Sequence, residues 1–334
     1  MDKRKPSLAE VADAAGVSKM TASRVLRNSG RFSEETRARV MREASRLNYV
    51  PNRLAAAFAS DTASTLVGVL VPRLSGGLFG QVVEAIDATL TRFGFQTLIG
   101  TYENRGDQEE AWLKSVLAWR PAGLILTGRA RSEGTAAMLR SATLPVVEIW
   151  DLNTRPLDVS VGINHFDCGH EMGRLFLSRG RRRIGYTGAE ATAPGLGRAR
   201  FDGFQQALQD AGAGPAVAEL LDDRPSFYQG HYGAQNLLSR CPDIDSIYFQ
   251  NDEMAVGGMA YCQAAGLRIP DDIGIAGWGG MDVATIIPRR LTTTNVSTRA
   301  VGRSAAEALV SRVRGDPVRD VIEIRSNLMP GDTL

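Results

Sequence analysis

The sequence has few cysteines, and their arrangement excludes two classes of small protein. Cys168, Cys241 and Cys262 are the only three in 334 residues. Their number is odd and no pair has C-x-x-C spacing, so neither a disulfide framework nor a zinc ribbon is encoded. We expect reduced, mostly buried thiols. The chain is long enough for two or three domains with cores of their own.

Long apolar segments are also missing. No uninterrupted run of about 18 apolar residues occurs, and the charged N-terminus lacks the apolar stretch of a signal peptide. We therefore expect a cytoplasmic protein that is neither exported nor membrane-spanning. With 43% hydrophobic, 23% charged and 7% aromatic residues, the composition is that of a globular protein and excludes disordered or fibrous chains.

Motifs for catalysis and metal binding are absent as well. The sequence has no G-x-S-x-G, Walker A or H-E-x-x-H motif, and Gly195-Leu196-Gly197 lacks the third glycine of a dinucleotide fingerprint. His165 and His170 lie five residues apart, off a shared helical face, and with His231 they form no metal-ligand cluster. We expect structural or surface histidines, no metal, no cofactor and no enzyme activity.

Positive charge is concentrated at one end of the chain. Residues 1–60 contain 12 Lys and Arg against 6 Asp and Glu, whereas the remainder contains 27 against 31. Because phosphate neutralisation supplies most non-specific nucleic-acid affinity, a basic head on a mildly acidic body indicates a polyanion partner. A solvated, charged helix surface is the alternative interpretation.

The basic head has the pattern of three short helices. Ser7-Leu8-Ala9-Glu10 is a capping box, and the apolar residues after it share one helical face until Gly16 ends the helix. Ser18 caps a second helix that runs to about Arg27, and Ser33-Glu34-Glu35 begins a third. Two short helices joined by a tight glycine turn form a helix-turn-helix.

The second helix is the candidate DNA-reading element. If it lies in the major groove, its outward residues Lys19, Met20 and Arg24 reach base edges. An arginine suits guanine N7 and O6, a lysine suits the same acceptors or a phosphate, and a methionine suits a thymine methyl group. Residues predicted to contact the DNA backbone are Ser18, Thr21, Ser23, Arg31, Ser33, Thr36 and Asn52. Each alone would be an ordinary polar surface position, but as a set they favour DNA recognition.

The same region carries a family signature. Residues 11–26, VADAAGVSKMTASRVL, with the runs SEETR at 33–37 and LNYVPN at 47–52, strongly resemble the lactose-repressor (LacI/GalR) family of bacterial transcription regulators. The run KMTASRVLRN is most similar to the gluconate-operon repressors of that family. The resemblance implies that Lys19, Met20 and Arg24 occupy the three base-reading positions.

A short segment follows that we interpret as a hinge. Pro51 can open a helix of about two turns over the alanine-rich residues 52–58, and isolated helices this short are marginal in water. In the resembling family this segment folds on the operator and inserts an apolar side chain, usually Leu, into the minor groove. Phe58 takes that position here, and Phe is a permitted wedge. The alternative is that Phe58 packs on the core as a linker anchor.

The remainder predicts an α/β fold. Short apolar strands alternate with amphipathic helices, as in parallel sheets, and the strands are predicted at 66–72, 96–100, 123–127, 145–149, 183–187, 246–249 and 273–277. The series is too long for one sheet, which favours two doubly wound parallel-sheet subdomains with a cleft between them. The resemblance implies a core similar to periplasmic sugar-binding proteins, with crossings between subdomains near residues 162, 292 and 321.

These patterns give a domain plan. We expect a helix-turn-helix headpiece over residues 1–50, a hinge helix and linker over 51–63, and an effector-binding and dimerisation core over 64–334. Within the core the N-subdomain is expected at about 64–162 and 293–321. The C-subdomain is expected at about 163–292 and 322–334.

Predicted strand ends, together with the resemblance, nominate an effector site. Its candidates are Asp151, Arg200, Asn251, Trp278, Phe79, Phe227 and Tyr228. The resemblance places Asp151, Arg200 and Asn251 at effector-contact positions and Trp278 at the pocket wall. Carboxylate, amide, guanidinium and indole groups together suit a polyol with a negative end.

One departure from the family predicts the charge of the ligand. Gly279-Gly280 stands where many members have two aspartates, so the pocket is expected to be less negative and to favour a sugar acid. Other roles stay open for individual residues. Arg200 could be a surface ion-pair residue, Asp252 is expected to be a helix N-cap, and at least one of the aromatic residues is expected in the core.

We therefore expect a homodimeric repressor that binds a pseudo-palindromic operator and is released by a sugar or sugar acid. A repressor with a different effector or a co-repressor is one alternative. A solute-binding transport protein would suit the cleft, but the basic helix-turn-helix argues against it. A sugar-modifying enzyme would need a catalytic constellation that the sequence lacks.

Overall fold

The computed structural model describes residues 6–26, 29–51, 64–75, 77–103, 105–128, 131–152, 155–189, 197–221 and 225–334. Contacts between Cα atoms divide the chain into two compact units, residues 1–63 and 64–334. Asn52 and Phe58, nominated from the sequence, lie outside the described residues.

The described part of the first unit contains three helices, α1 (Leu8–Ala14), α2 (Lys19–Leu26) and α3 (Glu34–Arg46). Ser7 caps α1: its Oγ accepts the Glu10 N–H at 3.3 Å, and the Glu10 carboxylate accepts the Ser7 N–H at 2.6 Å. Gly16 turns the chain towards α2 at a φ of +62°. The predicted apolar faces form the core: Val11, Ala12, Ala15, Ala22, Val25, Val40 and Ala44. The predicted helix-turn-helix is confirmed.

The second unit is built on strands and alternating helices. The strands are β1 (Leu66–Val71), β2 (Gln96–Thr101), β3 (Gly123–Thr127), β4 (Val146–Asp151), β5 (Val159–Ile163), β6 (Ile184–Ala189), β7 (Val217–Leu221), β8 (Ser246–Phe249), β9 (Gly274–Ala276), β10 (Thr293–Val296), β11 (Val321–Glu323) and β12 (Ser326–Met329). The helices are α4 (Gly77–Arg92), α5 (Gly106–Ala118), α6 (Glu133–Ser141), α7 (His165–Ser178), α8 (Arg198–Asp210), α9 (Phe227–Arg240), α10 (Asp252–Ala264), α11 (Val283–Ile286) and α12 (Thr298–Arg314).

Ten of these strands form two parallel sheets, and β10 and β12 form a separate antiparallel pair. One has the order β11-β5-β4-β3-β1-β2, and the other has the order β7-β6-β8-β9. The predicted α/β class is confirmed. Five strands were not predicted: β5, the edge strand β7, and β10, β11 and β12, which lie beyond the region where strands and helices alternate regularly.

The chain passes between the two sheets more than once. It leaves the first sheet after β5, and it returns through β10 to α12, which packs on α4. β11 then pairs in parallel with β5, and β12 pairs antiparallel with β10. The final residue, Leu334, is buried in the core of the second sheet. This path brings residues from the carboxyl ends of strands in both sheets into contact.

Candidate functional site

The first unit presents a polar face along α2. Lys19, Met20 and Arg24 are exposed, and Met20 is 71% exposed although it is apolar. A large apolar side chain kept in solvent on an otherwise polar helix face is available for a partner. The structure thus places the three predicted base-reading residues together on the outward side of one helix.

Residues predicted to contact the DNA backbone lie at helix starts and in the loop before α3. Ser18 Oγ accepts the N–H of Thr21 at 3.1 Å, and Ser33 Oγ accepts the N–H of Thr36 at 3.2 Å. Both serines are therefore N-caps. Ser23 is half-buried on α2 and Arg31 is exposed in the loop. Helix N-termini and hydroxyl groups are common phosphate-contacting elements.

Arg24 has a defined position within this surface. Its Cζ lies 5.7 Å from the centroid of the Phe32 ring. Gly30, at a φ of +101°, passes beside it, and a Cβ at that position would lie 2.8 Å from Arg24 Nη2. The positive φ favours glycine at this point of the loop between α2 and α3, and the exposed arginine side chain lies directly over it.

In the second unit, Arg200 is the centre of a buried polar group near the carboxyl ends of β4, β8 and β9. Its side chain comes from α8, and the residue is only 3% exposed. Nη2 donates to the Gln250 carbonyl at 3.0 Å, Nη1 lies 3.0 Å from His165 Nδ1, and Cζ lies 3.7 Å from the centroid of the Trp278 ring. The alternative prediction, that Arg200 is a surface ion-pair residue, is wrong because its side chain is buried.

Asp151 joins this group through His165. Asp151 ends β4 and is 8% exposed, and its Oδ1 lies 3.1 Å from Nε2 of His165. The two atoms are close enough for a hydrogen bond but are not aligned as one. Burial lowers the pKa of His165 below its usual 6.5, contact with Asp151 opposes this shift, and the Arg200 cation adds to it. The imidazole is therefore neutral at neutral pH.

His165 is a site residue that the sequence did not predict. It is 4% exposed and lies between Asp151 and Arg200, a position that the sequence did not assign to it. The reason is β5, which ends at Ile163 and was not predicted. Recognition of that strand would have nominated Asn164 and His165, because ligand residues follow the carboxyl ends of parallel strands.

Aromatic rings form one wall of the cleft. Phe79 and Trp150 have ring centroids 4.7 Å apart, and Trp278 packs edge-on against Trp150 at 5.8 Å. Trp150 has a φ of +89°, which a bulky side chain rarely adopts and which costs of order 1–3 kcal/mol. Such strain is often kept at a functional site. We call Phe79, Trp150, Asp151, His165, Arg200 and Trp278 the Arg200 cluster.

Asn251 and Asp252 follow β8 and have distinct roles. Asn251 Oδ1 accepts the Met254 N–H at 2.9 Å, so Asn251 is the N-cap of α10. The expectation that Asp252 is the cap is wrong. Its fully buried carboxylate instead accepts the Met281 N–H at 2.7 Å and the Thr293 hydroxyl at 2.6 Å. Burial raises the pKa of Asp252 to about 6.

The two glycines beside Asp252 shape the loop after β9. Gly279 and Gly280 have φ values of +132° and +67°, and a Cβ on Gly280 would lie 2.6 Å from Asn295 Cα. The carboxylates expected from family members are indeed missing here. The nearby carboxylate is that of Asp252, and it is directed at the backbone of this loop.

Phe227 and Tyr228 lie at the start of α9 and are 44% and 78% exposed. In the described part of the chain, neither ring stacks on a member of the Arg200 cluster. The cluster is thus assembled from Asp151, Arg200, Trp278 and Phe79, as nominated, together with His165 and Trp150.

Metal-binding clusters and membrane-spanning helices are both absent from the described ranges. Three or more His, Cys, Asp or Glu side chains are nowhere there grouped to hold a metal ion. Likewise, none of the helices described is long and apolar enough to cross a bilayer.

Comparisons with known proteins cover nearly the whole chain. Residues 7–52 match the model for "Bacterial regulatory proteins, lacI family", and residues 64–330 match "Periplasmic binding proteins and sugar binding domain of LacI family". The HTH-type transcriptional regulator GntR of Escherichia coli K12 is 33% identical over all of both chains. The GntR regulator of Pseudomonas aeruginosa is 36% identical over 95% of this chain and 92% of its own.

Solved structures agree with these matches. A LacI family transcriptional regulator from Silicibacter pomeroyi superposes with a TM-score of 0.92 at 37% identity, covering 98% of this chain and 99% of its own. The lac repressor dimer bound to operator and the anti-inducer ONPF superposes with a TM-score of 0.87 at 25% identity, covering 99% of each chain.

Proposed function

Since the chain belongs to the LacI family of bacterial regulatory proteins and is a DNA-binding transcriptional regulator, we propose that it represses a sugar-acid catabolic operon. It binds operator DNA in the cytoplasm and releases it when a sugar acid occupies the cleft of the core. In this proposal residues 1–50 are the DNA-binding headpiece, 51–63 the hinge and 64–334 the effector-binding and dimerisation core.

The headpiece reads the operator through α2. Arg24 donates to a guanine, Met20 contacts a thymine methyl group, and Lys19 contacts a base or phosphate. Exposure of all three on one face of α2 supports this assignment. A homodimer presents two such helices, so its operator is a pseudo-palindrome whose half-sites follow the two-fold symmetry of the protein. Phe58 is the proposed minor-groove wedge at its centre.

The observation that carries the effector proposal is the buried guanidinium of Arg200. A planar guanidinium binds a carboxylate through two parallel hydrogen bonds, and burial strengthens the attraction between the two charges. A ligand carboxylate beside Arg200 would add a negative charge to the contacts that the guanidinium already makes with Gln250, His165 and Trp278. A neutral sugar would not, so we expect gluconate or a close aldonate, or its phosphate, to bind much more tightly than glucose.

The rest of the cleft suits the polyol part of such a ligand. Asp151 provides acceptors for hydroxyl groups at the end of β4. Asn251 uses Oδ1 to cap α10, which leaves the amide nitrogen to donate. The rings of Trp150 and Trp278 offer flat apolar surface to the carbon chain.

Release of the operator follows from where these residues originate. Phe79, Trp150 and Asp151 belong to the first sheet and its helices, whereas Arg200 and Trp278 belong to the second. A ligand held by both sets favours one relative arrangement of the subdomains. The ligand changes the operator affinity only by as much as it prefers that arrangement, because ligand and operator are coupled through a two-state equilibrium.

Fluorescence anisotropy would test this proposal, with an operator duplex selected from a random library by the protein itself. We expect gluconate to release the duplex from the wild-type protein and glucose to release far less. Arg200→Ala should bind the duplex as wild type but ignore gluconate, since the DNA-reading residues lie in a separate unit. Arg200→Met, which keeps the core volume, should behave in the same way.

Arg198 provides a matched control on the same helix. It is paired with Asp202 at 2.7 Å on the surface, and its side chain is 73% exposed. Arg198→Ala should keep the response to gluconate. Release of the operator by a neutral sugar or a purine, but by no sugar acid, would overturn the ligand class. Tighter operator binding in the presence of gluconate would make the ligand a co-repressor.

A further inference from the structure

The tautomer of His165 follows from its neighbours. The N–H groups of a guanidinium only donate hydrogen bonds, because the group has no acceptor. The 3.0 Å contact between Arg200 Nη1 and His165 Nδ1 therefore requires that Nδ1 accepts with its lone pair. The single ring proton must then reside on Nε2, 3.1 Å from Asp151 Oδ1. The cluster therefore holds a neutral imidazole between a carboxylate and a guanidinium.

A ligand carboxylate at Arg200 changes what faces Nδ1. Hydrogens of the guanidinium would turn to the ligand, and the imidazole would lose the donor that occupies its lone pair. A carboxylate oxygen would then lie where the arginine hydrogen had been. With carboxylates at both ring nitrogens, each of which can only accept, the imidazolium form with two N–H donors satisfies both contacts.

We propose that His165 strengthens the binding of an anionic ligand at Arg200 by taking up a proton when the ligand carboxylate binds. The proton comes from solvent and settles on Nδ1, no covalent bond other than N–H forms, and the imidazolium donates to Asp151 and to the ligand. A neutral sugar supplies no second carboxylate and leaves the ring neutral. This inference rests on the proposed function, because it takes a carboxylate ligand in the cleft as given.

Other titratable groups near the ring do not change charge in this way. The charged groups that face His165 are Asp151 on β4 and Arg200 on α8. On α7 itself, burial raises the pKa of the Cys168 thiol, and on β6 burial raises the pKa of Tyr186 to about 12. Burial also raises the pKa of Tyr248 on β8. All three are thus neutral between pH 6 and 8.

Among the described residues, Asp252 on α10 also has its pKa moved into the relevant range. Its pKa is raised to about 6 by burial, and its hydrogen-bond partners are Met281 and Thr293 rather than members of the cluster. An experiment must therefore separate the titration of His165 from that of Asp252.

The linkage has a definite sign. Without ligand the pKa of His165 lies below 6.5, and with ligand two carboxylates raise it. At a pH between the pKa of His165 without ligand and its pKa with ligand, binding is accompanied by protonation of the ring. The affinity for a carboxylate ligand rises as the pH falls through this window, by at most about tenfold per pH unit for one proton.

Calorimetry on the full chain would test the inference with gluconate as the probe. Titrations at pH 7 in phosphate, HEPES and Tris, which differ in ionisation enthalpy, give the number of protons taken up. We expect an uptake of up to one proton for the wild type, and a Kd for gluconate that falls between pH 7.5 and 6. The variant His165→Asn keeps an amide donor but cannot titrate, so it should bind gluconate with no uptake and a nearly flat pH profile.

His170 is the matched control, because it lies on the same helix but is paired at the surface with Asp210 at 3.1 Å. His170→Asn should keep the uptake and the pH profile. Gluconate binding with equal heat in all three buffers would overturn the inference and leave the proposed function intact. Persistent uptake in His165→Asn would overturn it in favour of another group, such as Asp252.

A different result would overturn the proposed function itself. If no sugar acid releases heat or operator from the wild-type protein, both the proposed effector and the role of His165 are overturned. If His165→Asn fails to fold by circular dichroism, the wild-type dependence of the heat on buffer still decides between uptake and none.

Discussion

Replacing Arg24 by alanine should weaken operator binding and remove the preference for one base pair in each half-site. Arg24 is exposed on α2 and its guanidinium only borders Phe32, so the headpiece should stay within about 0.5 kcal/mol of wild-type stability. One bidentate arginine–guanine contact is worth about 1–3 kcal/mol. A dimer makes two, so the expected loss is about 2–6 kcal/mol, or roughly 30-fold to 20,000-fold in Kd.

Anisotropy with the selected operator and with single-base variants of it would measure this loss. Arg31→Ala is the comparison, because Arg31 is predicted to contact phosphate and its loss should weaken every duplex about equally. Both variants should also show a shallower dependence of the affinity on salt. If Arg24→Ala kept the base preference of the wild type at every operator position, the assignment of Arg24 as a base reader would be refuted.

Three further predictions concern the other parts of the chain. Removal of residues 1–60 should abolish DNA binding, as measured by anisotropy. The remaining chain should still form a folded dimer that binds gluconate in calorimetry, because the second unit has sheets and cores of its own. Aggregation of the shortened protein would contradict this. Phe58→Ala should weaken binding to the operator more than binding to random DNA, since a wedge acts only on a base step that opens; equal losses on both duplexes would indicate a packing role. Folding raises the pKa of Asp252 from 3.8 to about 6, so the folded protein holds this proton more tightly than the unfolded chain does. The protonated carboxyl group therefore stabilises the fold fully below about pH 4, and this contribution is lost as the pH rises through 6. Against Asp252→Asn, which does not titrate, the wild type should therefore lose about 3 kcal/mol of relative stability between pH 4 and 7 in urea unfolding, and a constant difference would refute the shift.

The headpiece and the strand–helix alternation could be predicted because local signals fix them. Ser7 and Glu10 cap α1 through residues three apart, and β1 is a continuous apolar run. β7 escaped prediction because it is an edge strand, where partly exposed positions such as Val217 and Leu220 blur the apolar pattern. β11 is stabilised by β5, since Val321 pairs with Ser160 far back in the chain, and no local pattern records such a partner. β12 pairs with the nearer β10, which also lies outside the regular strand–helix alternation.

Only those residues of the candidate site could be predicted that follow a recognisable strand or that the family resemblance marks. Asp151 follows a recognisable strand, and Arg200 was placed by the resemblance. That Arg200 contacts His165 depends on how α7 and α8 pack, across 35 residues of chain. The backbone turn at Trp150 is likewise a tertiary effect, since nothing local to that position in β4 calls for a positive φ.

The passages of the chain between the sheets also fix the order in which a newly made protein can fold. The three headpiece helices contact residues close in sequence and can fold while the rest is still being synthesised. The first sheet cannot be completed at that stage, because its edge strand β11 and the helix α12 that covers it are synthesised near the end of the chain. A chain terminated before Thr298 would thus carry a complete DNA-binding headpiece on a core with an open sheet edge and an uncovered apolar helix. Such a product could occupy operators without answering to any ligand, until aggregation or proteolysis removed it.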